Sequence, residues 1–536
     1  MRRYLRTGQR QLLQSPSSDV PMKDEIRLNL TENENQIRTA FGYSTDLVIR
    51  KVKFGAYIDT KLLIVHIDGL VNNNGISESV IKPITLLSDW PPLTDPAPAQ
   101  IFAQLKNRLI TNSELTEVGR IEDLLSEVCF GNTAILVEGH NVALIADLKG
   151  WKERNIEAST TEPALHGPKE SFVETMRTNT SMIRRHIRDP RLRIEERTIG
   201  AIGRTSIAIV YISGIARDSI VQEVRNRIDR ISIDSIQSSG MLEEFIEDSP
   251  FSLFPTIART ERVDRTLSTL LEGRIVIMTE GTPFSLIVPC NIFMFISSPD
   301  DYYENSLIGS LLRFLRIFLF LISLMLPGMY VAATAFHPEM IPTPLALAIA
   351  AQREGLPFPA LFEALLLAIS FEALQEASIR APLVFSATVS ILGILVLGQI
   401  TVQAGLVSPF MVIVIAITGI ASMALPSFSM SISIRVLRFA LLILGGILGL
   451  YGVIWGMAAL LIHTATLRSF GVPYSEPIMP LGISGLGDSQ VRISQWLKRK
   501  RPTLVSGINK TRQAAGQKPS PPTPEEKKAS AKEEES

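Results

Sequence analysis

The sequence predicts a multidomain protein, in which a soluble N-terminal region of two α/β (α+β) subdomains is followed by an α-helical transmembrane bundle. Length is the first observation, because 536 residues exceed one ordinary domain. Charge segregation is the second, since Lys, Arg, Asp and Glu crowd into the N-terminal part and the tail. The third is Ala381–Ile434, which holds no charged residue and is long enough to cross a bilayer twice.

Composition and motifs exclude several classes of protein. The chain has 53 basic and 53 acidic residues and no basic stripe, so nucleic acid is not an expected partner. Cys129 and Cys290 lie far apart without a CxxC, which excludes a disulfide framework and a cysteine zinc site. Phosphate-binding loops, HExxH and GxSxG are absent from the sequence, and the six histidines lack ligand-like spacing. The sequence therefore predicts no enzyme, no metal and no cofactor.

Residues 1–24 are predicted to be a disordered basic segment. They contain several arginines, but no apolar stretch of the kind found in a secretory signal follows them. We therefore expect the soluble region to lie on the cytoplasmic side.

Two soluble subdomains are predicted, at residues 25–157 and 164–298. β-rich runs, hairpin signals and one charged helical pattern support them. In the first subdomain these are Leu47–Arg50, Leu62–Val65, Ala134–Val137 and Val142–Ile145, and in the second Ser206–Ile212, the helix Asp218–Arg230, Arg274–Met278 and Phe284–Val288. A Thr- and Glu-rich linker separates the two units, and the alternation of strands and helices indicates an α/β arrangement.

The membrane domain is predicted at residues 305–470. A helix needs about 20 apolar residues to cross the hydrocarbon core. Four stretches meet that length, at about 314–336, 383–402, 409–427 and 439–463. Residues 340–378 are rich in proline and carry charges, so we expect an interfacial or re-entrant region there. The remaining residues 480–536 are predicted to be a disordered polar tail.

The positive charges predict the orientation of the bundle. Arg313 and Arg316 precede the first span, and Lys498–Arg501 follows the last, so both ends should be cytoplasmic. Four crossings satisfy that condition but place Arg435 and Arg438 on the outside, against the rule. Six crossings would need the proline-rich region to supply two more, so the number of crossings stays open.

Two sets of residues within the spans are candidates for function. Gln399 and Gln403 lie one helical turn apart, with Thr388 on roughly the same side, and such polar residues either bond a neighbouring helix or line a wet path. On the last span a stripe of small residues recurs at helical spacing and predicts close helix packing. The stripe consists of Gly445, Gly449, Gly452 and Gly456.

A series of short phrases runs in order along the chain, over about Asp46–Pro480. The main phrases are Asp68–Leu70, Gly150–Trp151, His166–Glu174, Ile183–Arg185, Thr260–Arg262, Leu271–Arg274, Ser298–Tyr303, Phe336–Thr343, Arg353–Pro359, Phe371–Glu376, Gly398–Gln399 and Val407–Pro409. Together they resemble the A subunit of the spore germinant receptors of the GerA family, with one departure at Val263, where the family usually has proline.

The resemblance implies a receptor in the inner membrane of the dormant spore. Such a chain acts with a transporter-like B subunit, which binds the nutrient, and with a lipoprotein C subunit. The A subunits are thought to form a ring of identical chains, whose membrane helices enclose an ion path that opens on nutrient binding. This predicts a ligand-gated ion channel whose soluble domains lie on the spore-core side.

Within that expectation, Gln399 and Gln403 would face the lumen, and a narrow apolar constriction beside them would act as the gate. Three carboxylates, Glu363, Glu372 and Glu376, could form a cation-attracting vestibule or serve as interface and salt-bridge residues. Glu372 and Glu376 share a helix face, whereas Glu363 points elsewhere. Two other functions stay open, a transporter subunit with alternating access and a non-conducting membrane scaffold.

Overall fold

The computed structural model describes residues 25–42, 44–53, 60–85, 98–110, 115–150, 162–164, 166–381, 398–481 and 488–519. These residues form two antiparallel five-stranded sheets, then a bundle of apolar helices, then a C-terminal segment that returns to the second sheet. The predicted fold class is confirmed. The basic N-terminal residues 1–24 and the predicted linker around 158–161 lie outside the described residues.

The first sheet consists of the strands β1 Leu47–Lys53, β2 Lys61–Ile67, β3 Leu115–Val118, β4 Thr133–Val137 and β5 Ala143–Ala146, and its helices are α1 Leu30–Phe41, α2 Asn73–Ile76, α3 Lys82–Thr85, α4 Pro98–Gln104 and α5 Ile121–Cys129. The strand order is β1-β2-β4-β5-β3, and each neighbouring pair is antiparallel. Alternate residues of β2 enter two different cores, since Leu63 and Val65 pack on one face and Leu62 and Ile64 on the other.

The second sheet repeats this topology, with the order β6-β7-β9-β10-β8 and antiparallel pairing throughout. Its strands are β6 Leu192–Ile199, β7 Thr205–Ile212, β8 Ala258–Thr260, β9 Ile275–Thr279 and β10 Ser285–Val288, and its helices are α6 Met176–His186, α7 Asp218–Asp229, α8 Ser239–Ile246, α9 Val263–Glu272 and α10 Ile292–Ile296. The sheets therefore correspond strand for strand.

A buried ion pair joins the two subdomains. The Arg184 guanidinium donates to both carboxylate oxygens of Asp46, at 2.9 and 3.1 Å, and to the hydroxyl of Ser44 at 3.0 Å. The side chains of Arg184 and Asp46 are 0% and 2% exposed. Because each ion loses its water, the pair is tolerated only while both partners stay together.

The second subdomain is continuous with the membrane helices. On one face of β7, Val210 belongs to an apolar cluster that also contains Leu324, Met430 and Leu441 of the bundle. On the other face, Ile209 packs in a separate core with helix α7. One face of the second sheet thus packs on α7 and α8, while the other face shares its apolar cluster with α6, α9 and the end of the bundle, which we term the near end.

The bundle consists of α11 Ser306–Phe336, α12 Thr343–Arg353, α13 Ala360–Arg380, α14 Pro409–Met423 and α15 Phe428–Thr466, together with a helical turn at 398–403. Among the described residues, two helical segments are long and apolar enough to cross a membrane, α11 and α15, although α15 changes direction within its length. Helix α11 runs from the near end to the opposite end, which we term the far end. Helices α13 and α14 start at the far end and run back, since Leu361 lies against Gly446, close to the contact of Gly449 with Phe336, and Glu363 lies beside Ser408.

Helix α15 is a hairpin, because Gly449 breaks it with φ 66° and ψ −152°. A Cβ on Gly456 would lie 2.5 Å from the Leu441 side chain, and one on Gly445 would lie 3.1 Å from Val453. Those pairs would be many ångströms apart along one straight helix. Residues 428–448 therefore run to the far end, and 450–466 return to the near end.

This reversal corrects the predicted single span at 439–463. Gly449 meets Phe336 and His337 at the far end of α11, so Arg435 and Arg438 lie toward the near end. They are on the same side of the turn as Arg313 and Arg316. The long apolar run thus changes direction at Gly449, so these arginines need not be placed on the side of the bundle opposite to Arg313 and Arg316.

The other predicted spans are placed as follows. The first, 314–336, is the apolar part of α11, which begins earlier at Ser306. The third, 409–427, contains α14. Most of the second, 383–402, lies outside the described residues. The region 340–378, predicted to be interfacial or re-entrant, holds α12 and most of α13.

The predicted disordered tail is also corrected for residues 488–519, which we term the C-terminal strap. Val505 is buried in the core of the second subdomain, and Gly507 N donates to Ile215 O at 2.7 Å. The Arg501 guanidinium donates to Leu271 O at 2.8 Å. A few apolar residues and backbone bonds suffice to order this segment, although its composition is polar.

Candidate functional site

The predicted pore residues lie on the outer surface of the bundle. Gln399 and Gln403 occupy the helical turn at 398–403, and both side chains are exposed in the single chain. Thr388 lies outside the described residues. Ile400 and Leu406 beside them are also exposed, so two amides stand within an apolar surface.

Glu372 joins two helices through two arginines. Its carboxylate accepts from Arg435 Nη1 at 3.1 Å and from Arg438 Nη2. The side chains of both arginines are at most one-tenth exposed. Arg435 and Arg438 of the first half of α15 thus share the carboxylate of Glu372 on α13. These ion pairs fix the relative position of the two helices.

Glu363 lies at the far end and is fully buried. Its Oε2 accepts from Ser408 N at 3.0 Å, just before α14, and Arg353 Nε lies 3.5 Å from its Oε1. A carboxylate at a helix N-terminus satisfies a backbone donor and the positive end of the helix dipole. Glu363 therefore fastens α14 to α13 and α12.

Glu376 differs from these two carboxylates. It pairs with Arg380 at 2.7 Å on its own helix, and its side chain is 54% exposed. The three carboxylates therefore do not converge in the single chain. Glu363 and Glu372 hold helices together, while Glu376 faces outward.

The glycine stripe is packed against two surfaces. A Cβ on Gly445 would lie 2.5 Å from Gly328 O of α11, and one on Gly452 would lie 2.3 Å from Leu444 O. Gly456 faces Leu441 across the hairpin, and Gly449 forms its turn. The small residues thus allow the two halves of α15 to approach each other and α11 closely.

The sequence placed Ser298–Tyr303 at the junction where the first membrane helix leaves the soluble region, but it did not reveal the ion pairs there. Asp301, fully buried, accepts from Arg313 Nε at 3.1 Å and from Arg316 Nη1 at 2.8 Å. Ser298 and Asp301 also form a reciprocal cap on the short 3₁₀ turn that precedes α11. The arginines that predicted the orientation therefore also have a structural role.

The C-terminal strap completes this junction. Lys498 Nζ lies 3.0 Å from Glu272 and also pairs with Asp488. Burial alone would raise the pKa of Glu272, but Lys498 and Arg274 outweigh it and lower that pKa to about 2. Burial opposes the charge of Lys498, yet Glu272 raises its pKa above the ordinary value. The strap is therefore held by ionised groups at neutral pH.

These contacts define a class of protein, in which an α/β region of two subdomains is fastened on one side to an apolar helical bundle. They are structural contacts, and within the described ranges no group of three or more potential metal ligands converges.

Comparison with known proteins identifies the family. The model of the GerA family, described as Bacillus/Clostridium GerA spore germination protein, matches residues 35–504. The chain is 43% identical to spore germination protein KA of Bacillus subtilis (strain 168), over 92% of this chain and 90% of that protein. It is 37% identical to the uncharacterized membrane protein YfkQ of the same organism, over 90% of this chain and 93% of that protein.

A solved structure is also similar in sequence. It is the crystal structure of the N-terminal domain of the A subunit of the Bacillus megaterium spore germinant receptor GerK3, which is 34% identical. The match covers 50% of this chain and 97% of that one, with a TM-score of 0.37. The chain belongs to the GerA family of spore germination proteins, as a member of the A-subunit type, and the resemblance found in the sequence is confirmed.

Proposed function

We propose that this chain is the A subunit of a nutrient-responsive germination receptor, which assembles into an oligomeric, ligand-gated ion channel in the spore inner membrane. Its opening releases ions and starts germination. The role is not enzymatic. The observation that carries the proposal is the exposure of Gln399 and Gln403 on the outside of an apolar bundle.

Two amides facing lipid would be unfavourable. An amide without a hydrogen-bond partner costs roughly 2–7 kcal/mol on transfer to an apolar environment. Assembly of several chains removes that cost, because the helical turn then faces either a neighbouring chain or a water-filled lumen. The exposed Ile400 and Leu406 would form the apolar constriction that excludes water when the channel is closed.

The carboxylates suggest how the rest of the path is organised. Glu363 and Glu372 fix helices within one chain. Glu376 is the one of the three that remains exposed, so it is our candidate for a cation-attracting vestibule. Thr388 keeps its predicted place beside the two glutamines in this proposal.

The charges also support an orientation. Arg313, Arg316, Arg435 and Arg438 all lie toward the near end of the bundle. By the positive-inside rule, that end and the soluble domains face the cytoplasm, which is the spore core. A transporter-like B subunit would bind the nutrient, and a lipoprotein C subunit would complete the receptor.

Substitution of the glutamines tests the channel. In spores that carry Gln399→Leu or Gln403→Leu, we expect slower ion release after exposure to a complex nutrient mixture, because the lumen loses its polar groups. Gln399→Asn and Gln403→Asn keep the amide and serve as matched controls. Immunoblots of the inner membrane establish that all variants reach equal levels.

The two other functions predict different results. A non-conducting scaffold would leave ion release unchanged in both leucine variants, at normal protein levels. Planar-bilayer recordings of the purified protein separate a channel from a transporter. Discrete current steps are expected of a channel, whereas slow, saturable flux without steps would contradict our proposal.

A further inference from the structure

An apolar loop of the second subdomain projects beside the near end of the bundle. It connects α8 to β8, and its tip carries Phe251, which is 100% exposed, and Leu253, which is 48% exposed. Ser252 N donates to Ser249 O at 3.0 Å, and Phe254 N donates to Ser252 Oγ at 3.2 Å. The loop therefore holds its own shape and presents two apolar side chains outward.

The other two side chains of this tip attach the loop to the bundle. Ser252 Oγ lies 3.0 Å from His463 Nε2, near the end of α15. The ring of Phe254 lies 6.1 Å from the ring of His463 and is buried in the cluster shared with the bundle. Alternate residues thus face inward to α15 and outward to the surroundings.

The outward side continues the apolar surface of the bundle. Leu461 and Ile462, which immediately precede His463, are exposed on the outside of α15. Because α15 ends at Thr466, this level marks the boundary between the apolar helices and the soluble region. Phe251 and Leu253 therefore lie where an acyl-chain region would pass into headgroups.

The chemistry of the loop favours a lipid interface as its occupant. Aromatic and aliphatic side chains gain free energy by leaving water, and aromatic residues concentrate at the membrane boundary. Just before the tip the chain carries carboxylates, Glu244 on α8 and Glu247 after it, while the cation beside them, Arg227, is bonded to Ile246 O and Asp248. The loop therefore presents no free cation of its own to an anionic headgroup, and we attribute contact with lipid to apolar insertion rather than to charge.

We infer that Phe251 and Leu253 insert into the interface of the bilayer and anchor the second subdomain to the membrane surface. This places a second membrane contact on the soluble region, separate from the helices that enter the bilayer. It also ties the orientation of the second sheet to the position of the lipid surface.

Spin labels test the inference on the full-length protein in phosphatidylcholine vesicles. Phe251→Cys and Leu253→Cys are labelled singly, since the native Cys129 and Cys290 are buried and burial raises the pKa of each thiol to about 12. Ile202→Cys is the matched control, because Ile202 is 79% exposed. It lies in the turn between β6 and β7, at the other end of the second sheet from the loop that carries Phe251.

The accessibility of each label to molecular oxygen and to a water-soluble nickel chelate is then measured by electron paramagnetic resonance. We expect the oxygen-to-nickel ratio to be at least about threefold higher at 251 and 253 than at 202, because oxygen partitions into apolar phases. Replacing part of the phosphatidylcholine by anionic lipid should not raise this ratio. Equal ratios at all three positions would overturn the inference.

Two further outcomes also decide the question. A label at 251 that is shielded from both oxygen and nickel would show a protein contact, with a second copy or another subunit, and would refute lipid insertion. In a second measurement, fluorescence from a probe at 253 should be quenched by lipids brominated near the headgroup, while a probe at 202 should not. This arm keeps Phe251 intact, and absence of quenching would count against the anchor.

Discussion

The two soluble sheets share one strand order but differ in how they are attached to the rest of the molecule. The first sheet contacts the second subdomain through the buried pair Asp46 and Arg184. The second sheet is fastened by an apolar cluster shared with the bundle and by the C-terminal strap. Two sheets of the same topology thus have different positions: the first sheet is peripheral, whereas the second sheet lies next to the bundle.

The difference shows where a signal can pass between the soluble region and the membrane. The apolar cluster shared with the bundle offers a packed route for a motion of the bundle to reach the second subdomain, whereas the first sheet is linked to that subdomain through the interface around Arg184. Each attachment can be removed separately. The following changes test this division, from the largest expected effect to the smallest.

The largest effect is expected at the interface of the two subdomains. Arg184→Leu leaves Asp46 buried without its cation, which should destabilise the docked arrangement by about 3–5 kcal/mol. The loss of stability is measured by denaturant unfolding of the full-length protein in micelles. Limited proteolysis then shows whether the first subdomain has become more accessible. The double variant Asp46→Leu with Arg184→Leu should recover part of the loss.

A surface arginine provides the control. Arg38 pairs with Glu34 on α1 and its side chain is 55% exposed. Arg38→Leu should therefore cost less than about 1 kcal/mol. If Arg184→Leu is no more damaging than Arg38→Leu, the buried pair does not hold the subdomains together.

The reversal of α15 brings the chain back to the second subdomain. Disrupting this turn should therefore have the second largest effect on stability. Gly449 has a backbone conformation that is nearly restricted to glycine, and a Cβ there would lie 3.1 Å from Phe336. Gly449→Ala should cost about 2–3 kcal/mol or reduce the amount of folded protein. Gly355→Ala, where a Cβ meets open space, is the control, and equal melting temperatures of both variants would contradict the hairpin.

The C-terminal strap should make a smaller, pH-dependent contribution to the free energy of unfolding. Glu272→Gln should loosen it and cost about 1–2 kcal/mol, because Lys498 loses an anion within a buried site. The pKa of Glu272 is lowered to about 2 from an ordinary 4.5, so its stabilisation is fully present above 4.5 and is lost as the pH falls toward 2. Protease cleavage of the strap should accordingly increase in that pH window.

The exposed Glu244 on α8 provides the matched control. Glu244→Gln should change stability by less than about 0.5 kcal/mol and leave strap cleavage unaltered. Strap cleavage that keeps the same pH profile in the Glu272→Gln variant would show that another group controls it.

The smallest effect is a difference in labelling rate. Cys129 lies in the first subdomain and Cys290 in the second, and burial raises the pKa of both thiols to about 12. Reaction with a maleimide therefore needs local opening. We expect Cys129 to react before Cys290, because the second subdomain is held by the bundle and the strap. Mass spectrometry of the labelled peptides gives the order of reaction. If Cys290 reacts first, the second subdomain is not the more firmly held of the two.

Much of the soluble fold was accessible from the sequence. The β-rich run Leu62–Val65 and the run Ser206–Ile212 are strands in the structure, because continuous apolar residues at a central position face a core on both sides. The shared strand order was missed, although Ile67–Val71 and Ile212–Ala216 are similar turns that follow equivalent strands. A search for internal repeats would have been the appropriate signal.

The membrane half was predicted in outline but not in detail. Hydropathy located the apolar chain, yet it treated 439–463 as one span because it does not register a change of direction. The conflict over Arg435 and Arg438 was the available signal, since charges that break the positive-inside rule indicate a missed crossing. In α15 itself, Gly449 was assigned to packing, and only its backbone conformation shows the turn.

The sequence by itself determined the division of this protein into a charged α/β region and an apolar helical region, together with its family. Hydrophobicity, periodicity and short motifs are local properties, so they can be recognised directly in the sequence. Only the tertiary structure decided the hairpin at Gly449, the pairing of Glu372 with two arginines, and the ordering of the strap. These features depend on which residues far apart in the chain come into contact. The free energy of such contacts cannot be calculated from any single segment of the sequence.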